Sequence, residues 1–427
     1  MRFRSVALCI GVLAGSMAGV LLLNEARLVA QERPVPATTK YVRLKTPRIL
    51  PIEAKDYTPE QKAAVGTTNA NLNFRTALYE PELGKRWWSW LTFVWSPEGR
   101  GDAALTLRDK ELVILRTNWN CHDDWVWGRH VPIARREGRT DAEIQRIPKG
   151  PDAPGWSEKD RALLKAADEL HTDQFITDAT WTILTKYYNT AQMLDIIFMV
   201  GNYHLNAMYT NSVGMPMDGV DGMPADAHGQ RPKPLAAKYV RLATPRIVPI
   251  EIKDFTPEQK AAVGDNKNPN LNFRSALYAP EFGKRWWSWL TFIWSPNGRG
   301  DHALTLHDKE LVILRTNWNC NDDWVWGQHV PIAKREGRSD EDIARIPKGP
   351  AAAGWSEKDR ALLKAADELH TDQFLTDATW KTLTTYYNTA QMIDLMFTVG
   401  NYHLNAMYTN SAGMPFQPGF GGLPARN

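Results

Sequence analysis

The chain has 427 residues, enough for two or three ordinary domains, and its 43% apolar and 23% charged residues make it globular rather than disordered or fibrous. A formal charge of +3 is close to balance and gives no electrostatic case for a nucleic-acid partner, which needs a clustered basic face. Eighteen Trp are the outlier; they are either large core side chains or the walls of an aromatic pocket.

In chain order, Arg2 and Arg4 precede an apolar run from Val6 to Leu23, with a possible cut after Ala30. Residues 1–30 therefore read as an export signal, and the mature protein is expected to be periplasmic or secreted. The run is close to the minimum for a membrane span, so an uncleaved N-terminal anchor is the alternative. Cys9 falls in this segment. Only Cys121 and Cys320 remain, which is no disulfide framework; a bridge between them would require their sites to face each other.

From residue 40 the chain repeats itself. Lys40-Tyr41-Val42-Arg43-Leu44 returns as Lys238-Tyr239-Val240-Arg241-Leu242, Glu111–Gly138 returns as Glu310–Gly337, and Asn202–Tyr209 returns as Asn401–Tyr408. The parse is copy one at 40–214, a Gly/Pro/Asp-rich linker at 215–237, and copy two at 238–413. Each copy has the size of an ordinary single-core domain. The period is far too long for a solenoid.

The elements of copy one are helical. Thr58-Pro59-Glu60 opens a short helix with a cap, a Pro at the first position and an early acid. Phe74 to Trp95 is one or two helices interrupted near Pro81 and Gly84. Thr106 caps a helix from Leu107 to about Asn120, with Leu112, Leu115 and Trp119 on one stripe. The next covers Trp125 to Glu137 and stops at Gly138; Pro132 within it either delays the regular helix or kinks it. Thr140 to Glu143 is a capping box. Ser157 starts a helix that runs to His171, Asp178 starts another, and Asn189 precedes the longest, which ends between Asn211 and Gly214. No segment alternates like a strand, so the fold class is all-α.

The chemistry-bearing residues concentrate in 111–130. Copy one has Glu111, Arg116, Cys121, His122, Asp123, Asp124 and His130; copy two has Glu310, Arg315, Cys320, Asp322, Asp323 and His329, with Asn321 in place of His122. A group needed at both sites is therefore not His122. Arg129 becomes Gln328, which suggests a rim position. On a helix, Val126 and Ile133 flank His130, placing its imidazole toward the apolar side, where it can move protons near neutrality. An antiparallel helix pair would bring Glu111 to His130. The plain alternatives are a core His bonded to a carbonyl and a first-turn Glu favoured by the helix dipole. His204 and its counterpart His403 lie in line with apolar positions of the last helix and either complete a pocket with His130 or are packed. His171, near a helix C-terminus, reads as a capping cation. Cys121, His122 and Asp124 lack a strong zinc spacing, so no metal is expected.

Asp109 to Arg116, then Cys121, Asp124, Trp127-Gly128 and His130, then Ala134-Arg135, Gly138 and Asp141 to Ile144, resemble the carboxymuconolactone decarboxylase family, related to alkylhydroperoxidase D. Pro154 to Ser157, Ala167 to His171 and Val200 to His204 resemble its later motifs. The resemblance implies two tandem alkylhydroperoxidase D-like helical bundle domains, a homo-oligomer such as a trimer of two-domain chains, and a pocket around the helix pair carrying Glu111 and His130. Its catalytic residues would fall on Glu111 and His130, and on Glu310 and His329 in copy two. Arg116, Cys121, Asp124, Trp127 and His204, with Arg315, Cys320, Asp323, Trp326 and His403, would line or support the pocket.

In the hydroperoxidase branch a C-x-x-C pair carries the redox chemistry, but those positions here hold Asp123 and Val126. Without a local resolving thiol the two-cysteine cycle has lost its chemistry. Asp123 and Asp124 would also disfavour a Cys121 thiolate. The expected function is therefore acid–base decarboxylation or isomerisation of a small carboxy-lactone or organic acid, with no cofactor. Arg116 would hold a carboxylate or else pair with a neighbouring helix. The alternatives are a hydroperoxidase using Cys121 and Cys320, and a non-catalytic binding or assembly protein, favoured by Val126 and Pro132 where relatives carry an acid and a base.

Overall fold

The computed structural model describes residues 44–224, 232, 242–417 and 419–424. The expected export signal, Cys9 and the paired segments 40–43 and 238–241 lie outside the described residues. Each helix of copy one begins where a short polar or proline-bearing stretch can satisfy its free N–H groups. Thr58 and its capping box start α1 (Pro59–Val65), Asn71 starts α2 (Leu72–Ala77), and Pro81 opens α3 (Pro81–Trp95). Thr106 caps α4 (Leu107–Asn120), Asp123 caps α5 (Asp124–Arg136), and Thr140 caps α6 (Asp141–Arg146). Ser157 caps α7 (Glu158–Asp173), Thr177 caps α8 (Asp178–Leu184), and the Asn189 capping box starts α9 (Thr190–Val213).

Copy two repeats this order as α10 (Pro257–Val263), α11 (Leu271–Ala276), α12 (Pro280–Trp294), α13 (Leu306–Asn319) and α14 (Asp323–Arg335), followed by α15 (Asp340–Arg345), α16 (Glu357–Asp372), α17 (Asp377–Leu383) and α18 (Thr389–Ala412). Among the described residues there is no strand, and no helix is long and apolar enough to cross a membrane.

The expected interruption of 74–95 falls before Pro81, whereas Gly84 lies inside α3. Its lack of a side chain lets α3 approach α2, since a Cβ there would sit 3.2 Å from the Ala77 carbonyl oxygen. Pro132 is accommodated within α5, and Gly138 follows it at φ +84°, a left-handed conformation that favours glycine.

The two copies share one hydrophobic core rather than owning one each. Helix α9 is buried on every side, as a helix apolar all round must be, and it packs antiparallel on α18. Gly201 meets Leu404 and Gly400 meets Leu205, so a pseudo-twofold axis passes between the helices. His204 and His403 stack across it with centroids 5.1 Å apart. Phe198 of copy one packs on Phe282 and Trp286 of copy two, and Phe397 returns the contact to Trp87. Polar clasps follow the same symmetry: Arg48 pairs with Asp377, and Arg246 with Asp178.

Residues 215–224 of the expected linker are a strap seated on α5. The Met223 N–H donates to Asp124 Oδ1 over 2.8 Å, Val220 packs on the core, and the Asp221 carbonyl occupies the space that a side chain at Gly128 would need. The tail repeats this on α14, where the Leu423 N–H donates to Asp323 and Gly327 faces the Gly421 carbonyl. An irregular segment has few backbone bonds of its own, and the carboxylate at the helix start supplies one. Gly128→Ala should therefore lift the strap and speed amide exchange over 215–224; unchanged exchange would show the contact to be dispensable.

Beneath α4, Asp195 is fully buried between Arg100, at 2.8 Å, and Lys110, at 2.9 Å. Burial drives the Lys110 pKa down to about 8, with Asp195 opposing the fall. Its native pKa lies below the unfolded one, so between pH 8 and 10.5 the unfolded chain holds more protons and this group's contribution to stability rises with pH. Asp195→Ala strands two buried cations and should cost about 3–5 kcal/mol in denaturant unfolding at neutral pH. A loss below about 1 kcal/mol would refute this account.

Candidate active site

Helices α4 and α5 run back from the turn at Cys121–Asp123, where His122 takes a left-handed φ of 58°. The turn is held by Asp123, whose carboxylate accepts from the Val126 N–H at 2.9 Å and from the Thr210 hydroxyl at 2.6 Å. Asp123 occupies the first position of the lost C-x-x-C pair and serves as a helix cap there.

The returning helices bring Glu111 and His130 together, with Glu111 Oε2 2.8 Å from His130 Nδ1. Glu111 is fully buried, and its Oε1 accepts the indole N–H of Trp95 at 2.9 Å. With Glu111 ionised both of its oxygens are acceptors, so Nδ1 carries the imidazole proton and Nε2 is left basic. The Tyr203 hydroxyl lies 3.1 Å from that Nε2. Burial, reinforced by the Glu111 charge, raises the Tyr203 pKa well above the ordinary phenol value, so the hydroxyl stays protonated and can donate. Copy two repeats the arrangement: Trp294 bonds Glu310 at 2.9 Å, Glu310 bonds His329 at 2.9 Å, and the Tyr402 ring sits edge-on to His329 at 4.9 Å.

His130 and Tyr203 open onto a cavity of about 370 Å³ walled by Trp88, Leu91, Trp95, Trp125, Val126 and Ile133. Asn73, Asn206 and Arg129 are polar points on this apolar wall. Arg129 lies over Trp125 at 5.2 Å, and its buried Nε makes no hydrogen bond. The matching cavity of copy two is about 210 Å³ and carries Gln328 instead, which bonds Gln417 of the tail at 2.9 Å. The Trp residues thus divide: Trp87 and Trp119 fill the core, while Trp88, Trp95 and Trp125 wall the cavity.

Several residues expected at the pocket stand elsewhere. Arg116 forms a two-pronged pair with Asp168 at 2.6 and 2.8 Å and also bonds the Ile147 carbonyl; Arg315 does the same with Asp367. Neither guanidinium is lent to the cavity. Asp124 and Asp323 hold the strap and tail. Trp127 and Trp326 pack on Trp119 and Trp318, at 6.1 and 6.2 Å. Cys121 and His204, with Cys320 and His403, point to the pseudo-twofold side and meet His171 and His370. His171 is therefore a partner of His204 and Cys121 in addition to standing in the last turn of α7.

The groups missed in the sequence are Tyr203, with Asn73 and Asn206 on the cavity wall and Trp95 behind Glu111. Consecutive helical residues point about 100° apart, so Tyr203 and His204 cannot both face His130. The signal was present in Tyr203 and Asn206, a polar pair three apart in both copies.

The fold is thus an all-α bundle duplicated about a pseudo-twofold, each half pairing a buried carboxylate and imidazole beside an aromatic cavity. The model of the carboxymuconolactone decarboxylase family matches twice, at residues 81–169 and 280–368, and the matches span the helices that carry Glu111 and His130, and Glu310 and His329. The repeat is thus a tandem duplication of a domain that matches that family's model. A comparison with curated proteins finds no match.

Proposed function

We propose that this protein is an acid–base enzyme acting on a small, flat organic acid or carboxy-lactone, with decarboxylation or isomerisation as its reaction. The observation that carries this reading is the unbroken chain from Trp95 through Glu111 and His130 to Tyr203, which ends at an aromatic cavity. Such a chain fixes the imidazole tautomer and leaves a basic nitrogen and a protonated phenol at the substrate. Flat aromatic walls suit a conjugated ring, and Arg129 supplies a cation for a carboxylate.

In a decarboxylation the bond from the ring carbon to the carboxylate breaks, CO2 leaves, and the electron pair passes into the conjugated carbonyl. Tyr203, Asn73 and Asn206 line the cavity and would supply donors to the developing oxyanion, Tyr203 once Nε2 is protonated and no longer accepts its hydroxyl proton. The proton that His130 Nε2 takes up from solvent then passes to carbon, which returns Nε2 to its unprotonated form. Isomerisation instead uses Nε2 as a base: it takes a proton from one carbon and returns it to another, without loss of CO2.

The test is a panel of carboxy-lactones, unsaturated acids and hydroperoxides. Turnover of an acid or lactone that disappears in His130→Ala/His329→Ala supports the reading; turnover unchanged in that variant overturns it. Arg129 further predicts that Arg129→Gln raises KM for anionic substrates about tenfold or more with kcat little changed, the loss of one charge-assisted contact. Equal KM values for anionic and neutral substrates in wild type would contradict that role. Export and assembly into trimers are part of this proposal and rest on the sequence alone; sedimentation at three chain masses is the expected result.

A further inference from the structure

Cys121, His204 and the half-buried His171, with Cys320, His370 and His403, line neither cavity. Cys121 ends α4, His171 lies in the last turn of α7, and His204 is at the middle of α9; their side chains converge although they are far apart in sequence. Cys121 Sγ lies 3.8 Å from His171 Nδ1, and the same nitrogen lies 2.9 Å from His204 Nε2. The three donor atoms all fall within 4.8 Å of one another. Copy two builds the set again from Cys320, His370 and His403, at 3.7 and 3.1 Å.

We propose that each copy holds a late first-row metal ion of the Zn2+ class on Cys121, His171 and His204, and on Cys320, His370 and His403.

The convergence of the donors separates this from a proton wire. A wire enters an imidazole at one nitrogen and leaves at the other, but here both neighbours face the single Nδ1 of His171. One ring nitrogen offers either a lone pair or a hydrogen and cannot serve both well. An ion bound about 2.3 Å from sulfur and about 2.0–2.1 Å from nitrogen holds its donors roughly 3–4 Å apart, close to the 3.8 and 2.9 Å contacts at His171 Nδ1 and the 3.7 and 3.1 Å contacts at His370 Nδ1. One thiolate with two imidazoles suits a borderline-soft ion rather than Mg2+ or Ca2+. The scaffold is rigid, since Asn211 Nδ2 donates to the Cys121 carbonyl at 2.9 Å and Gln174 Nε2 to the His171 carbonyl at 2.9 Å, fixing both ligand-bearing turns. The set also survives in both copies beside a position that changes, His122 to Asn321. His204 and His403 stack at the pseudo-twofold, so the two ions would sit on either side of that pair.

This inference is independent of the acid–base reading, because the relay residues contribute no ligand. The experiment is titration of the chelator-stripped full chain with Co2+, followed by displacement with Zn2+. Two equivalents of Co2+ per chain with a thiolate-to-cobalt charge-transfer band, both lost on adding Zn2+, are expected. Cys121→Ser, nearly isosteric, should halve the band, and Cys121→Ser/Cys320→Ser should abolish it. Glu111→Gln/Glu310→Gln should retain both equivalents. No charge-transfer band in the wild-type protein, or a band that persists in the double serine variant, would overturn the proposal, and the wild-type result needs no variant to fold.

Discussion

Replacing both relay carboxylates, as Glu111→Gln/Glu310→Gln, is expected to lower kcat about 10²–10⁴-fold with little change in KM, the range that general acid–base catalysis contributes. The reason is a matter of donors and acceptors. Trp95 Nε1–H can only donate and claims one acceptor, at 2.9 Å. A glutamine has one carbonyl oxygen and one NH2, so satisfying Trp95 turns the NH2 toward His130 Nδ1. That nitrogen must then be the acceptor, and the imidazole proton moves to Nε2, the atom beside Tyr203. The cavity loses its base although every side chain keeps its place. Imidazole nitrogen NMR gives a readout that needs no substrate: the wild-type protein should show the Nδ1–H tautomer of His130 and the variant the Nε2–H tautomer. Retention of more than a tenth of wild-type turnover, or an unchanged tautomer, would remove Glu111 from the mechanism.

What could be read in the sequence followed the range of the interactions. Thr106, Ser157 and Asn189 bond to N–H groups three residues away, so they announce helix starts locally, and the structure begins helices after each of them. Glu111 and His130 meet across one short turn between adjacent helices, a contact that helix pairing alone suggests. The metal-ligating set was illegible for the opposite reason. Cys121 and His171 are 50 residues apart, and His171 and His204 are 33 apart, so no spacing motif can announce them. Arg116 shows the same limit from the other side. Its type fits a substrate carboxylate, yet Asp168, 52 residues away, takes both prongs of the guanidinium. The strap at 215–224 looked like a linker because its own composition forms no helix; what orders it is Asp124 and the bare surface at Gly128.

The duplication itself is tested at Gly201 and Gly400. A Cβ at Gly201 would stand 2.5 Å from Leu404 Cγ and 3.1 Å from Leu404 Cα, and one at Gly400 would stand 2.7 Å from Leu205 Cγ and 2.9 Å from its Cα. The second distance in each pair involves helix backbone, so rotating a leucine cannot relieve the clash; the helices must separate. Gly201→Ala is expected to destabilise the chain by about 1–3 kcal/mol, the usual cost of overpacking a close-packed core, despite the higher helix propensity of alanine. Gly201→Ala/Gly400→Ala should cost more than either change alone, because both act on one crossing. Trimming the opposed side chain, as Gly201→Ala/Leu404→Ala, should return less than the full loss, since the cavity left by leucine has its own cost while the backbone contact stays tight. Separation of α9 from α18 would also pull His204 from His403, whose rings stack across the same axis. A stability gain in Gly201→Ala, the outcome helix propensity alone would give, would mean that the two copies do not meet at this crossing.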